Sequence, residues 1–158
     1  MSPSDPVRGE RWTICSQNHI HWGANGGAGL LLRHKPGSGN PTYLLARRSR
    51  SVDEGGTWGI PGGAVRHGER PEATARREAI EEIGQLPCYD VTAVEVQDCG
   101  GGWLFHIIMG DVKQPFVAYS QQETQETGWF TLEQLRGLQL HPGIRRWLDH
   151  RNSAASGP

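Results

Sequence analysis

The sequence lacks any apolar run that approaches the roughly 20 residues needed to span a bilayer. Its first residues, MSPSDPVRGERW, also lack the apolar stretch of a secretory signal peptide. We therefore expect a cytoplasmic location and no membrane partner.

A surplus of charge of either sign is also missing, since 16 Lys and Arg residues are balanced by 17 Asp and Glu residues. Proteins that wrap long nucleic acids usually present a broad basic surface, so no such partner is expected. A small phosphorylated ligand stays open, because a site can be locally charged in a neutral protein. With 35% hydrophobic and 21% charged residues, the composition is that of a soluble globular protein.

Cysteines are few and odd in number, and no two of them form a CxxC pair. Cys15, Cys88 and Cys99 are therefore expected to be free thiols of a reducing compartment. His19 and His21 have the i, i+2 spacing of candidate metal ligands, but no further residue in the sequence supports a site there.

The length of 158 residues suits one compact domain whose core needs no disulfides. Both ends are rich in small and polar residues, so we expect flexible segments at 1–11 and 151–158 around a domain at 12–150. Apolar segments separated by Gly- and Pro-rich turns predict strands at 29–32, 42–46, 58–60, 91–96, 103–109 and 128–131. Short helices are predicted at 132–138 and 144–150.

One longer helix has clear start and stop signals. Pro71 suits the first helical position, and Gly84 suits the position just after Ile83, with Pro87 beyond it. On this helix, Ala75, Ala79 and Ile83 repeat every four residues, with Ala73 and Ile80 beside them, as a stripe that can face a core.

The same helix places three carboxylates together on the neighbouring side. Glu78 and Glu82 lie one turn apart, and Glu81 lies beside both, within an arc of roughly 100°. Such side chains repel one another unless a cation is bound, and Mg²⁺ prefers carboxylate oxygens together with substrate phosphates. Considered alone, the segment REAIEE is more often a solvated acidic face.

The wider spacing resolves that choice. Seven residues have the spacing of the Nudix box, namely Gly63, Glu69, Arg77, Glu78, Glu81, Glu82 and Gly84. A chance match in a chain of this length has a probability on the order of 10⁻⁶. The sequence thus resembles the Nudix hydrolases, of the MutT-like type. Two positions depart from the family's pattern, Ala79 and Gln85, where larger or apolar residues are usual.

The resemblance implies an α/β/α sandwich with a mixed central sheet, and Mg²⁺ or Mn²⁺ as cofactor. The implied metal ligands are Glu78, Glu82 and the carbonyl of Gly62, with Glu81 as a further ligand or the general base. Arg77 belongs to the catalytic motif and is expected to pair with Glu69, which holds the loop to the helix. Gly63, Glu69 and Gly84 have structural roles in the box.

Substrate contacts are expected outside the box. Arg47 follows a strand and can neutralise phosphate, and Trp58 and Trp103 are candidates to stack on a nucleobase. Glu126 resembles the base-contacting acid of oxidised-purine triphosphate hydrolases, with Glu123 as the alternative. A solvated or packing role stays open for each of these residues.

The implied activity is hydrolysis of the diphosphate linkage of a nucleoside diphosphate derivative. A (d)NTP or an oxidised one such as 8-oxo-dGTP is the first candidate, and ADP-ribose or a nucleotide sugar is the alternative. A different class, a catalytically inactive module that senses a nucleotide, is disfavoured because the carboxylates are present. Many members are dimers, so a homodimer is one assembly to consider.

Overall fold

The computed structural model describes residues 9–119 and 124–155. The strands are β1 Trp12–Ile14, β2 Ile20–Trp22, β3 Gly27–His34, β4 Thr42–Arg48, β5 Trp58–Gly59, β6 Gly62–Ala64, β7 Asp90–Asp98, β8 Leu104–Val112 and β9 Thr124–Phe130. The helices are α1 Pro71–Ile83, α2 Leu132–Arg136 and α3 Pro142–Ala155.

Seven of the strands form one mixed sheet. The central order is β5-β4-β3-β8-β7, with β6 added beside β3 and β9 beside β4. Only β3 and β8 run parallel among the pairs of this sheet, and the other pairs are antiparallel. The first two strands form a separate antiparallel hairpin, in which Trp12 lies opposite Trp22.

Helices cover both faces of the sheet, which confirms the expected α/β/α sandwich. On the first face, here called the α1 face, helix α1 buries Ala75, Ala79 and Ile83 against the strand residues Ala28, Leu30, Leu32, Leu44, Ala46 and Ile108. On the second, here called the α3 face, α2 and α3 bury Leu135, Ile144, Trp147 and Leu148 against Leu31, Tyr43, Leu45, Ile107 and Met109. The alternation of strand side chains supplies both cores at once.

Helix α1 begins and ends where the sequence predicts. Pro71 occupies the start, and Gly84 caps the end with a φ of 83° while its N–H donates to the Ile80 carbonyl at 3.0 Å. The predicted core stripe is correct for its three principal residues and wrong for its flanks. Ala73 and Ile80 are exposed, and Thr74 is buried instead.

The predicted strands of the main sheet are present, most of them longer than expected. The last strand begins at Thr124 rather than 128, and α3 runs to Ala155, past the expected domain end at 150. Sequence analysis missed the hairpin β1–β2 and the short strand β6. In the part of the chain that the structure describes, no helix is both long and apolar enough to cross a membrane.

Candidate active site

The segment that leads into the Nudix-like box contacts helix α1 at Gly63. A Cβ built on Gly63 would stand 2.8 Å from Glu78 Oε2 and closer still to the rest of that carboxyl group. No residue with a side chain fits there without displacing Glu78. The absence of a side chain at Gly63 therefore lets the carboxylate rest directly on the backbone of β6.

The close contact between β6 and β3 leaves no room for a side chain at Gly62. It pairs with Gly29 across β3 and β6, where an added Cβ would be 2.8 Å from the Gly29 Cα. The carbonyl of Gly62 belongs to the peptide bond that joins it to Gly63. This backbone oxygen is thus covalently adjacent to the residue on which Glu78 rests.

Arg77 and Glu69 form the predicted ion pair, and the pair is bidentate. Arg77 Nε donates to Glu69 Oε2 and Arg77 Nη2 donates to Oε1, both at 2.9 Å. Glu69 Oε1 also accepts from Thr74 Oγ1 at 2.6 Å and from the Arg66 N–H at 3.2 Å. The hydrogen bonds from Arg77, with those from Thr74 and Arg66, lower the pKa of Glu69 to about 2.

The same guanidinium orients the helix carboxylates. Arg77 Nη1 donates to Glu78 Oε1 at 2.7 Å and makes a longer contact of 3.5 Å with Glu81 Oε1. Arg77 Nη2 also donates to the Ala64 carbonyl at 3.2 Å, which ties the helix to β6. Hydrogen bonds to Glu69 and then to Glu78 raise the pKa of Arg77, so its charge is permanent. Arg77 thereby offsets repulsion within the acidic cluster and fixes the position of Glu78.

Glu82 lies one turn further along α1 and faces the sheet. It lines a cleft together with Ala46, Arg48, Val52, Ile60 and Thr124. Glu78 and Glu82 are both partly shielded from solvent, whereas the Glu81 side chain is 52% exposed. The three glutamates thus occupy different environments although they share one side of the helix.

These residues fit a hard divalent cation by the chemistry of their donors. Three carboxylates and the Gly62 carbonyl are the oxygen ligands that Mg²⁺ prefers, with remaining positions left to water or phosphate. Within residues 9–119 and 124–155, the three carboxylates do not form a set whose donor oxygens all lie within 4.8 Å of one another.

Three of the predicted substrate residues lie together on neighbouring strands. Arg47 pairs with Trp58 of β5 on one side and with Glu126 of β9 on the other. Its Nη1 donates to Glu126 Oε1 at 3.0 Å. Trp58 packs on the α3 face, edge-on to Phe130 with ring centroids 5.0 Å apart. Ala46, the residue before Arg47 in β4, lies on the α1 face. Arg47 and its two cross-strand partners therefore lie on the opposite side of the sheet from α1.

Trp103 lies at another edge of the molecule. Its Nε1 donates to the Gly23 carbonyl at 2.7 Å, and its ring stacks on His21 with centroids 4.3 Å apart. These contacts give it a packing role toward the N-terminal hairpin. Glu123, the alternative acid, falls outside the described residues.

Of the two adjacent arginines at the end of β4, the structure places Arg48 on the side of Glu82. Arg48 lines the cleft that contains Glu82, and its Nε donates to the Asp53 carbonyl at 2.8 Å. Arg48 continues the row of Leu44 and Ala46, which lie on the α1 face, although the register against β9 shifts between Arg47 and Arg48. The signal that would have identified it is its register against the apolar Leu44 and Ala46.

Comparison with known proteins identifies the family. A family model described as the NUDIX domain matches residues 26–150, which includes the whole box and both faces of the sheet.

The chain belongs to the Nudix family. It is a hydrolase of the kind that acts on phosphoric anhydride bonds.

Relatives of this Nudix hydrolase include a protein of Mycobacterium tuberculosis that has the provisional name 8-oxo-dGTP diphosphatase 3. The two are 34% identical over 98% of this chain and 76% of the relative. A Bifidobacterium longum protein named as a nucleoside triphosphate pyrophosphatase/Nudix hydrolase fusion is also 34% identical, over 84% of this chain and 28% of that protein.

Solved structures show the same fold. The Nudix hydrolase RenU of M. smegmatis matches with a TM-score of 0.81 and 33% identity, over 95% of this chain and 98% of RenU. A C. elegans Ap4A hydrolase matches with a TM-score of 0.63 over 84% of this chain and 99% of that chain, at 21% identity. This second likeness concerns the fold alone.

Proposed function

We propose that this Nudix hydrolase uses Mg²⁺ to cleave the diphosphate linkage of a nucleoside triphosphate, with 8-oxo-dGTP as the first candidate substrate. The observation behind the metal is the contact of the Glu78 carboxyl group with the backbone of Gly63, on the helix that also contains Glu81 and Glu82. The name of the M. tuberculosis relative, which is similar along nearly the whole chain, supports the choice of substrate.

The proposed ligands are Glu78, Glu82 and the Gly62 carbonyl. Bound there, a divalent cation would polarise a phosphoryl oxygen and make a coordinated water more acidic. Arg77 keeps Glu78 in place through the 2.7 Å hydrogen bond and keeps its own position through Glu69. Glu78 is therefore held in position before the substrate arrives.

Glu81 is the proposed general base. Arg77 contacts the side chains of Glu69, Glu78 and Glu81, and of these Glu81 is the most exposed. Its contact with Arg77 is also the longest, at 3.5 Å. A carboxylate with this freedom can rotate to take the proton of the attacking water. Water then attacks one phosphorus and the bond from that phosphorus to the bridging oxygen breaks, which leaves a nucleotide and a phosphorylated remainder.

Arg48 is the proposed phosphate contact in the cleft. It stands beside Glu82, and its Nε donor is used by the Asp53 carbonyl. The guanidinium is fixed by that bond, so the terminal nitrogens are pre-oriented as charge-assisted donors to phosphate oxygens. A cation at the glutamates and an arginine across the cleft would neutralise the triphosphate from two sides.

The substrate is tested by a hydrolysis screen with Mg²⁺ that includes 8-oxo-dGTP, the common (d)NTPs, ADP-ribose and nucleotide sugars. We expect the highest kcat/KM with 8-oxo-dGTP or another nucleoside triphosphate. A preference for ADP-ribose or a nucleotide sugar would replace the proposed substrate but keep the mechanism. Binding without turnover would indicate a nucleotide sensor instead.

The metal is tested by chelation and by one substitution. EDTA should abolish turnover and added Mg²⁺ or Mn²⁺ should restore it, since the proposed chemistry needs the cation. Glu82→Gln should lower kcat by roughly 10²-fold or more, because an amide is a poor ligand for Mg²⁺. Glu72→Gln, an exposed position on the same helix, is the matched control and should retain kcat. Turnover that survives complete chelation would exclude the proposed mechanism.

A further inference from the structure

A second cluster of ligand-type side chains lies outside the box helix. Cys15, His19, His21 and Cys99 each offer one donor atom, and these four atoms all lie within 4.8 Å of one another. The sequence analysis expected free thiols and found no support for a histidine site. Cys99 is remote in sequence from the other three residues, so only the folded chain brings it to them.

The hairpin β1–β2 supplies three of the four side chains. Cys15 directly follows β1, His19 precedes β2 and His21 lies within β2. A tight turn joins them, in which the Cys15 N–H donates to the His19 carbonyl at 3.0 Å and Asn18 has a φ of 62°. This turn brings the start and end of the segment together, so the thiol and the imidazoles point to the same region.

The turn between β7 and β8 supplies the fourth side chain. Asp98 Oδ1 accepts from the Gly100 N–H at 2.9 Å and from the Gly102 N–H at 3.3 Å, which folds the chain tightly around Cys99. The backbone of this turn contacts the hairpin directly. A Cβ on Gly101 would lie 2.6 Å from Cys15 Sγ.

Further hydrogen bonds join the two turns. Gln17 Nε2 donates to the Gly100 carbonyl at 2.7 Å, and Ser16 Oγ donates to the Gly101 carbonyl at 3.1 Å. The two pieces of chain are thus held in register by contacts other than the four donor side chains. The cluster is therefore a built feature of the fold and not a chance approach of exposed residues.

His21 gives an independent sign that a ligand belongs here. Its ring is stacked on Trp103 at an interplanar angle of 5°, which fixes its orientation. Its Nε2 is buried, and no hydrogen-bond partner for it exists among the residues that the structure describes. A buried polar atom without a partner destabilises a fold, and coordination would remove that cost.

We propose that Cys15, His19, His21 and Cys99 bind a structural Zn²⁺ ion. Two thiolates and two imidazoles are a common zinc set, whereas Mg²⁺ prefers oxygen ligands. In a tetrahedral site with ordinary Zn–S and Zn–N lengths, donor atoms lie roughly 3.3–3.8 Å apart. The donors within 4.8 Å therefore reach that geometry by small side-chain rotations.

Four protein ligands close the coordination sphere, which is typical of structural and not catalytic zinc. The hairpin β1–β2 forms its own sheet and shares no ladder with the main sheet. Zinc would therefore fasten this hairpin to the β7–β8 turn. The ion would act apart from the hydrolytic glutamates and would be present even in protein that hydrolyses nothing.

The test is the zinc content of the full-length chain, expressed with added zinc, kept reduced and dialysed against excess Mg²⁺. We expect about one Zn²⁺ per chain by elemental analysis. Cys15→Ser and Cys99→Ser should each reduce the content about tenfold or more, because each removes a ligand. Cys88→Ser is the matched control and should keep the full content, since Cys88 is an exposed cysteine outside the cluster.

Two further variants distinguish the loss of a zinc ligand from a general loss of structure or of activity. His19→Ala changes an exposed turn residue and should also lower zinc content while far-ultraviolet circular dichroism stays unchanged. Glu82→Gln should retain all zinc, which separates this site from the hydrolytic one. A zinc-free wild-type protein, whether its cysteines are free or form a Cys15–Cys99 disulfide by mass spectrometry, would overturn the proposal. Zinc retained by both cysteine variants would overturn it as well.

Discussion

Gly63 illustrates how one residue positions the chemistry by having no side chain. The carboxyl group of Glu78 occupies the space where a Cβ would lie. The position therefore sets how close the Glu78 carboxylate can come to the backbone of β6.

Gly63→Ala should lower kcat by roughly 10- to 100-fold. The new methyl group overlaps the Glu78 carboxyl group and must push it away from its position. Steady-state kinetics with the preferred nucleotide would measure the effect. Gly37→Ala is the control, since a Cβ there meets no atom within 4 Å. Equal kcat in both variants would show that Glu78 is not a critical ligand.

His141 is a residue whose environment makes stability depend on pH. Burial, and then the positive charge of Arg48, lower the pKa of His141 to about 4 from an ordinary value of 6.5. The neutral ring accepts a hydrogen bond at Nδ1 from the Gly143 N–H at 3.2 Å, near the start of α3. Between pH 6.5 and pH 4, the unfolded chain binds a proton that the folded chain does not.

The stabilising contribution of neutral His141 is thus complete above pH 6.5 and is lost as the pH falls toward 4. Between pH 7 and pH 5 the free energy of unfolding should fall by about 2 kcal/mol from this residue. His141→Asn keeps an acceptor for Gly143 but does not titrate, so the fall should be smaller by that amount. Urea unfolding at both pH values measures the free energy of unfolding of each protein. An equal fall between pH 7 and pH 5 in the wild type and in His141→Asn would contradict the assignment.

At the scale of elements, the link between β6 and α1 determines the geometry of the site. Arg77 reaches from the helix to Glu69 in the preceding loop and to the Ala64 carbonyl at the end of β6. The Arg77 and Glu69 side chains are only 19% and 16% exposed, so the pair is shielded from the solvent screening that weakens surface pairs.

Glu69→Gln should lower the free energy of unfolding by about 2–3 kcal/mol, because it leaves a shielded arginine partly uncompensated. It should also lower kcat, since Arg77 would no longer be fixed beside Glu78. Thermal and urea unfolding measure the first effect. Glu72→Gln on the exposed side of α1 should change stability by no more than about 0.5 kcal/mol. Similar losses in the two variants would exclude the pair as a structural clamp.

The signals for α1 were local, which is why the sequence predicted it well. Proline at the start, glycine at the end and the four-residue repeat depend on no distant residue. By contrast, the three-residue strands of the N-terminal hairpin are too short for a periodic signal, and they were missed. Each of these two strands is stabilised by pairing with the other and not by the residue types it contains.

At the scale of the whole molecule, the sheet separates the pair of Arg48 and Glu82 from the pair of Arg47 and Glu126. Arg48 and Glu82 line one cleft, while Arg47 pairs with Glu126 on the α3 face. If phosphate binds beside the glutamates, the two neighbouring arginines differ in importance.

Arg48→Ala should raise KM for a nucleoside triphosphate roughly tenfold, because a charge-assisted hydrogen bond is lost. Arg47→Ala should raise KM by less than about threefold, because its guanidinium is paired with Glu126 on the opposite face. Initial-rate kinetics of both variants decide between them. A larger effect from Arg47 would place the phosphates on the α3 face.

The sequence by itself determined the family, the box helix and the ion pair of Glu69 and Arg77. These features depend on residue types at fixed spacing within 23 positions, so a linear pattern contains them. Residue spacing cannot specify which strand faces which helix. The tertiary structure alone decided that Arg48, not Arg47, shares a cleft with Glu82. It alone brought Cys99 to Cys15, His19 and His21, because that approach depends on how two distant turns pack.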